Sequence, residues 1–257
     1  MHAFRDTWVM AKRSLRHTIR SLDTIITVAI TPIALMLLFV YVFGGSFGAS
    51  SGSVKYINFI TPGIVIMCVV SGIAYAALRL NNDMTKGIIN RFRTMPVASS
   101  SILGGHALSS VLSNLFSVVL VMIVAFLVGF RSDAGIAEWL IFTGILVLFT
   151  LATTWLAIVF GLLAKSAEGA GAFSYILLLL LFISSAFTPT DKMNPVLRAF
   201  ADHQPMTPIV ETMRSLLING SAGESAWLAV AWCAGLLVAS YLLALRIYKN
   251  KKGYSVN

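Results

Sequence analysis

Charge is scarce in this sequence. Lysine, arginine, aspartate and glutamate make up 11% of 257 residues, against about a quarter in ordinary soluble domains. Hydrophobic residues make up 58% and the mean hydropathy is +0.86, which excludes a soluble globular chain. Cysteine is nearly absent. Cys68 and Cys233 both fall inside apolar runs, where they read as buried thiols, so no disulfide framework is expected and the redox compartment is not legible. Missing too are the G-x-x-x-x-G-K-[ST] nucleotide loop, H-E-x-x-H and G-x-S-x-G, and His2, His17, His106 and His203 are scattered without metal-ligand spacing. Enzymatic chemistry, nucleotide hydrolysis included, is therefore not expected of this chain.

The charges that do occur avoid the middles of the apolar runs. Arg79, Glu138 and Arg246 lie at run ends, and the interiors offer only neutral polar groups, among them Asn114, Thr153 and Thr154. Proton relays and ion-coupled carriers keep charged groups at mid-membrane because the chemistry needs them there. If this chain moves anything uphill, the energy comes from another subunit.

What is present is a series of six uncharged runs, about 24–43, 57–78, 107–130, 139–164, 169–187 and 226–245. Each is close to the ~20 residues a helix needs to cross the hydrocarbon core, and a helix satisfies its backbone polar groups within the segment. The expected fold is an all-α membrane protein of six transmembrane helices, residues 24–246. The first run, which follows a basic region, is too long for a signal peptide's apolar core and is expected to be retained.

Basic residues set the orientation. With the N-terminus in the cytoplasm, 14 of the 19 lysines and arginines lie inside, leaving Lys55, Arg131, Lys192, Arg198 and Arg214 outside. Both termini are therefore expected in the cytoplasm, with 247–257 as a basic tail. Topogenesis, anionic lipid or a cytoplasmic partner each accounts for the inner charge, and nucleic acid is not needed.

Two flanking segments carry their own patterns. In residues 1–23, Phe4, Trp8, Ala11, Leu15, Ile19 and Leu22 recur three and four apart beside Arg5, Lys12, Arg13, Arg16 and Arg20. That is an amphipathic interfacial helix, a lipid anchor that could also touch a cytoplasmic subunit. Residues 188–225 hold four of the seven prolines. Asn194 before Pro195 and Thr207 before Pro208 read as helix starts, Glu211 as a first-turn acid, and Asn219-Gly220 as a stop. Two short outer helices, re-entrant or interfacial, are expected there.

Between the second and third runs, "TKGIINRFRTMPVASSSILGG" (Thr85 to Gly105) gathers Lys86, Arg91 and Arg93. Gly87 is expected to break the preceding helix and "IINRFRTM" to form a short one, with Ile88, Phe92 and Met95 on one side. Such a helix can lie on the bilayer or fit a groove on a cytoplasmic protein, and periodicity does not choose.

This stretch, at this position in a six-span chain, resembles the permease subunits of type-2 ABC exporters, most closely the daunorubicin-resistance permease group. "FISSAFTPTDKMNPVLRAFADHQPMTPIVETMRSLLING" (Phe182 to Gly220) resembles that family's outer segment before its last span. The resemblance runs from the N-terminal helix to the sixth span. It implies an exporter half that pairs with a second permease copy or a close relative, and with two cytoplasmic ABC ATPase subunits. ATP and Mg would be held by that partner, with no cofactor in this chain. The setting would be a bacterial plasma or inner membrane, and the cargo a drug, lipid or lipid-linked molecule.

By the same resemblance the loop 79–106 is a coupling element. The role falls on Gly87, Asn90, Arg91, Phe92, Arg93, Met95 and Pro96, with Phe92 as the apolar plug. The family often has an acid where this chain has Asn90, so the resemblance does not carry over a salt bridge there. Substrate would pass along spans one, two and five, with candidates Tyr41, Phe43, Ser71, Tyr75, Phe173, Ser174, Tyr175 and Ser185. A non-transporting scaffold that recruits a cytoplasmic protein through the same loop is the rival reading.

Overall fold

A computed structural model describes residues 22–44, 53–86 and 99–250. The N-terminal helix expected over 1–23, all but its last two residues, lies outside them, as do all seven coupling residues and the end of the basic tail. The described residues are helical and contain no strand. We number the helices α1 (Leu22–Leu38, continued by a π-helical stretch Phe39–Phe43), α2 (Ser53–Thr85), α3 (Ser99–Val128), α4 (Ile136–Leu163), α5 (Ala167–Phe182), α6 (Pro195–His203), α7 (Met206–Asn219) and α8 (Ala226–Asn250). A one-turn 3-10 helix, Thr190–Lys192, precedes α6.

Five helices, α1 with its π stretch, α2, α3, α4 and α8, are long and apolar enough to cross a membrane. The shorter α5 is apolar too. α2 and α3 run beyond the apolar sequence, to Thr85 and back to Ser99, so both ends of the expected loop 79–106 are helical. The polar stretch after Leu78 stays helical because packing holds it. Leu80 and Asn81 are buried, and Leu80 joins Leu103 and Ala107 of α3, Trp155, Ile158 and Leu162 of α4, and Ala244 and Tyr248 of α8 in one cluster.

α2 is the centre of the bundle. It packs against α1, α3, α4, α5 and α7, while α8 packs chiefly on α4. A helix apolar all round has no solvent face to present, which is why α2 fills the middle. Its C-terminal end also finishes α4. The Asn81 side-chain amide donates to the Gly161 carbonyl at 3.1 Å and the Ala164 carbonyl at 2.9 Å, groups that have no partner within the helix. Asn81→Leu is expected to leave both unsatisfied and to cost about 1–3 kcal/mol. Unfolding in detergent at an unchanged midpoint would refute that role.

The outer segment departs from the expected pattern. Asn194 caps α6 through Val196 N–H at 3.1 Å, with Pro195 at the first helical position. α7, however, starts two residues before the expected Pro208, at Met206. Thr207 is not its cap but a buried hydroxyl that donates to the Ala201 carbonyl at 2.6 Å. Glu211 consequently falls past the first turn, where it accepts from the Ser225 hydroxyl at 3.3 Å. α7 ends as expected at Gly220, whose φ of 61° suits glycine. α7 is buried along most of its length, against α4, α8 and α2.

Candidate functional site

α1 and α5 lie against α2 and leave between them a groove of about 760 Å³. Thr31 of α1, Met67, Val70, Ser71, Tyr75 and Leu78 of α2, and Ser174, Tyr175 and Leu178 of α5 line it. Small residues make the room, with Ala74 on one wall and Gly171 and Ala172 on the other. Ser174 folds its hydroxyl back onto the Gly171 carbonyl at 2.8 Å, as serines in apolar helices do. The wall is mostly apolar, with hydroxyls at Thr31, Ser71, Tyr75 and Tyr175 and one acidic residue, Glu168, at one end. Glu168 sits in the first turn of α5, which Ser166 caps by accepting from Gly169 N–H, and the helix dipole there favours a carboxylate.

Of the eight residues picked from sequence for the pathway, four converge on this groove: Ser71, Tyr75, Ser174 and Tyr175. The others do not. Phe173 is buried against Phe160 of α4, stacked at 4.7 Å, because one step along a helix turns a side chain by about 100°. Ser185 is buried beyond the end of α5. Tyr41 is 71% exposed and Phe43 is exposed, both on the π-helical stretch beyond the groove. Sequence reasoning missed Glu168, and the signal was its place just before the fifth apolar run.

At the end opposite Glu168 the two walls meet. A Cβ on Gly63 of α2 would lie 2.8 Å from the Ala186 Cβ. Phe187 stacks on Phe39 of the π-helical stretch at 5.1 Å and meets Phe182 at 5.0 Å. α5 has 16 residues, or about 24 Å of helix against a hydrocarbon core of about 30 Å, so irregular backbone must continue it. That backbone needs donors. Gln204 donates to the Leu180 carbonyl at 2.8 Å. Arg214 of α7 donates from a terminal guanidinium nitrogen to the Ser185 carbonyl at 2.6 Å and the Ala186 carbonyl at 3.2 Å, and from Nε to the Phe59 carbonyl of α2 at 3.0 Å. Its guanidinium carbon stands 3.8 Å over the Phe59 ring. Burial lowers the Arg214 pKa to about 10 and Glu211 pulls it back, so it stays a cation at neutral pH. In sequence Arg214 reads only as one more outer basic residue.

At the Glu168 end, α2 and α3 flank the segment that carries the seven coupling candidates. Asp83 of α2 and His106 of α3 approach to 3.4 Å, an ion pair when the imidazole is protonated. With the Leu80, Leu103 and Ala107 cluster beside it, this contact fixes both roots of the connection.

Comparison with known proteins points one way. Residues 5–218 match the model of the ABC-2 type transporter family. The daunorubicin resistance ABC transporter permease protein DrrB1 of Streptomyces coeruleorubidus is 31% identical over 232 residues, 90% of this chain and 81% of that one. The probable doxorubicin resistance ABC transporter permease protein DrrC of Mycobacterium tuberculosis is 21% identical over 234 residues, 91% and 84% of the two chains. A putative transport permease, ycf38, of Pyropia yezoensis is 27% identical over 230 residues, 83% and 78%.

Proposed function

The chain belongs to the ABC-2 type transporter family, and on that footing we propose that it is the membrane subunit of an ATP-driven exporter for amphipathic molecules. The groove among α1, α2 and α5 is the observation that carries this reading. Apolar walls with a few hydroxyls and a carboxylate at one end suit a molecule with an aromatic or aliphatic body and a polar or cationic end. The energy source is an ABC ATPase bound at the connection between α2 and α3. α2 is both one root of that connection and one wall of the groove, so a displacement of the connection is passed to the groove along a single helix. ATP binding on the partner would shift the population toward a groove open to the far side, and hydrolysis would reset it. Two copies of the chain, facing through α1 and α5, would close the groove's open flank, where Ile26, Ile30, Tyr175, Ile176 and Leu179 are exposed.

Transport is tested against the scaffold reading by ATP hydrolysis in the reconstituted complex. Daunorubicin, which bears an amine, is expected to stimulate hydrolysis, whereas a scaffold has no reason to respond. Glu168→Gln is expected to weaken the apparent affinity for daunorubicin about two- to fivefold, a modest effect because the carboxylate is exposed, and to leave that for an uncharged amphiphile unchanged. Equal loss for both compounds, or none for either, would remove Glu168 from the site.

A further inference from the structure

We propose that Arg214 is the positioning residue that keeps the groove closed at the end away from Glu168, so that the groove communicates with one side of the membrane only while its guanidinium is engaged. The inference rests on the transport reading above. An exporter's pathway open at both ends would leak, so one end must be held, and held by something that can let go.

Arg214 meets both conditions. Its bonds reach the two walls of the groove at once, Phe59 on α2 and Ser185 with Ala186 after α5, and it comes from a third element, α7. The contact it guards is tight, since Gly63 and Ala186 leave no room for a Cβ between them. Its acceptors are neutral carbonyls, which hold a guanidinium less strongly than a carboxylate would. Glu211, three residues earlier on the same helix, offers a carboxylate to which the cation can turn. Separating α2 from α5 at this end thus requires one side chain to exchange partners, while the rings of Phe39, Phe182 and Phe187 part beside it.

The test is sided access to the groove in the full chain. A cysteine at Ser71, midway along the groove, is labelled with a membrane-impermeant maleimide in intact cells and in inverted vesicles. The parent chain, whose Cys68 and Cys233 are buried, sets the background. With Arg214 present, labelling of Ser71→Cys is expected only from the side that bears the α2–α3 connection. Adding Arg214→Gln is expected to raise labelling from the opposite side about tenfold, with labelling from the first side unchanged. Arg214→Lys keeps the charge and loses the fork, so it should give a smaller rise, and it serves if the glutamine variant does not insert. A merely structural arginine would lower yield without changing sidedness. Inserted variants whose opposite-side labelling stays at the parent level would overturn the proposal. Failure of Ser71→Cys to label from either side would instead overturn the groove reading beneath it.

Discussion

Gly161→Val is expected to give a protein that unfolds at markedly lower temperature in detergent and yields little monodisperse material. A Cβ at Gly161 of α4 would stand 2.9 Å from the Ala77 carbonyl oxygen and 3.4 Å from the Ala77 Cα of α2. Backbone cannot swing aside as a side chain can, so the helices must separate. Overpacking of this kind costs about 1–3 kcal/mol. Separation would also draw the Gly161 and Ala164 carbonyls away from the Asn81 amide, adding the loss of one buried and one partly buried hydrogen bond. Lipid is as apolar as the helix surface, so close backbone approach and such bonds are what bind helices in a membrane. The control lies on the same helix. At Gly144 an added Cβ meets nothing within 4 Å, and Gly144→Val should be nearly silent. Equal stability of the two valine variants would show that α2 and α4 do not approach as described.

The second large effect concerns the partner. Phe92→Ala with Arg91→Ala is expected to abolish recovery of an ABC ATPase with the tagged permease in mild detergent, while the permease itself remains folded. Both residues lie outside the described structure, and the proposal rests on their sequence, an aromatic side chain between two arginines in an otherwise charge-poor chain. What the structure adds is the mounting. The connection is rooted at Thr85 and Ser99 on helices held together by Asp83 with His106 and by the cluster of Leu80, Leu103 and Ala107. On the coupling proposed above, a load taken there would pass into α2, and so into the groove. An aromatic anchor in an interface commonly contributes ~2 kcal/mol or more, so losing it with its neighbouring charge should drop association at least about 30-fold. ATPase recovery unchanged in the double variant would move the docking surface elsewhere and favour a scaffold whose contact lies on another segment.

The membrane helices were legible in the sequence because hydrocarbon imposes a strict rule, an uncharged run about as long as the bilayer is thick. The packing at the C-terminal end of α2 was not. Gly87 was expected to break this helix, whose described part ends at Thr85, but nothing in "RLNNDMT" shows that Leu80 and Asn81 find buried partners on other helices. The same limit divides the pathway residues. Hydroxyl and aromatic groups inside apolar runs picked out Ser71, Tyr75, Ser174 and Tyr175, which line the groove, but that criterion says nothing about azimuth, so Phe173 and Ser185 were chosen by it too and turn elsewhere. Arg214 is the opposite case. Its charge placed it among outer loop residues, whereas its role depends on carbonyls left open by a short α5, a shortage visible only once the chain has folded.

The packing of α8 bears on the order in which the molecule is made. A ribosome delivers the helices in sequence, so α4 emerges long before the helix that covers it. Until then the Trp155, Ile158 and Leu162 side of α4 waits against lipid or an insertase. That same cluster closes over Leu80 and Leu103, the residues that root the α2–α3 connection, and it takes Ala244 and Tyr248 from α8. The proposed platform for a cytoplasmic partner would therefore be among the last parts of the membrane domain to become rigid, and a nascent permease would offer it only after α8 has entered the bilayer.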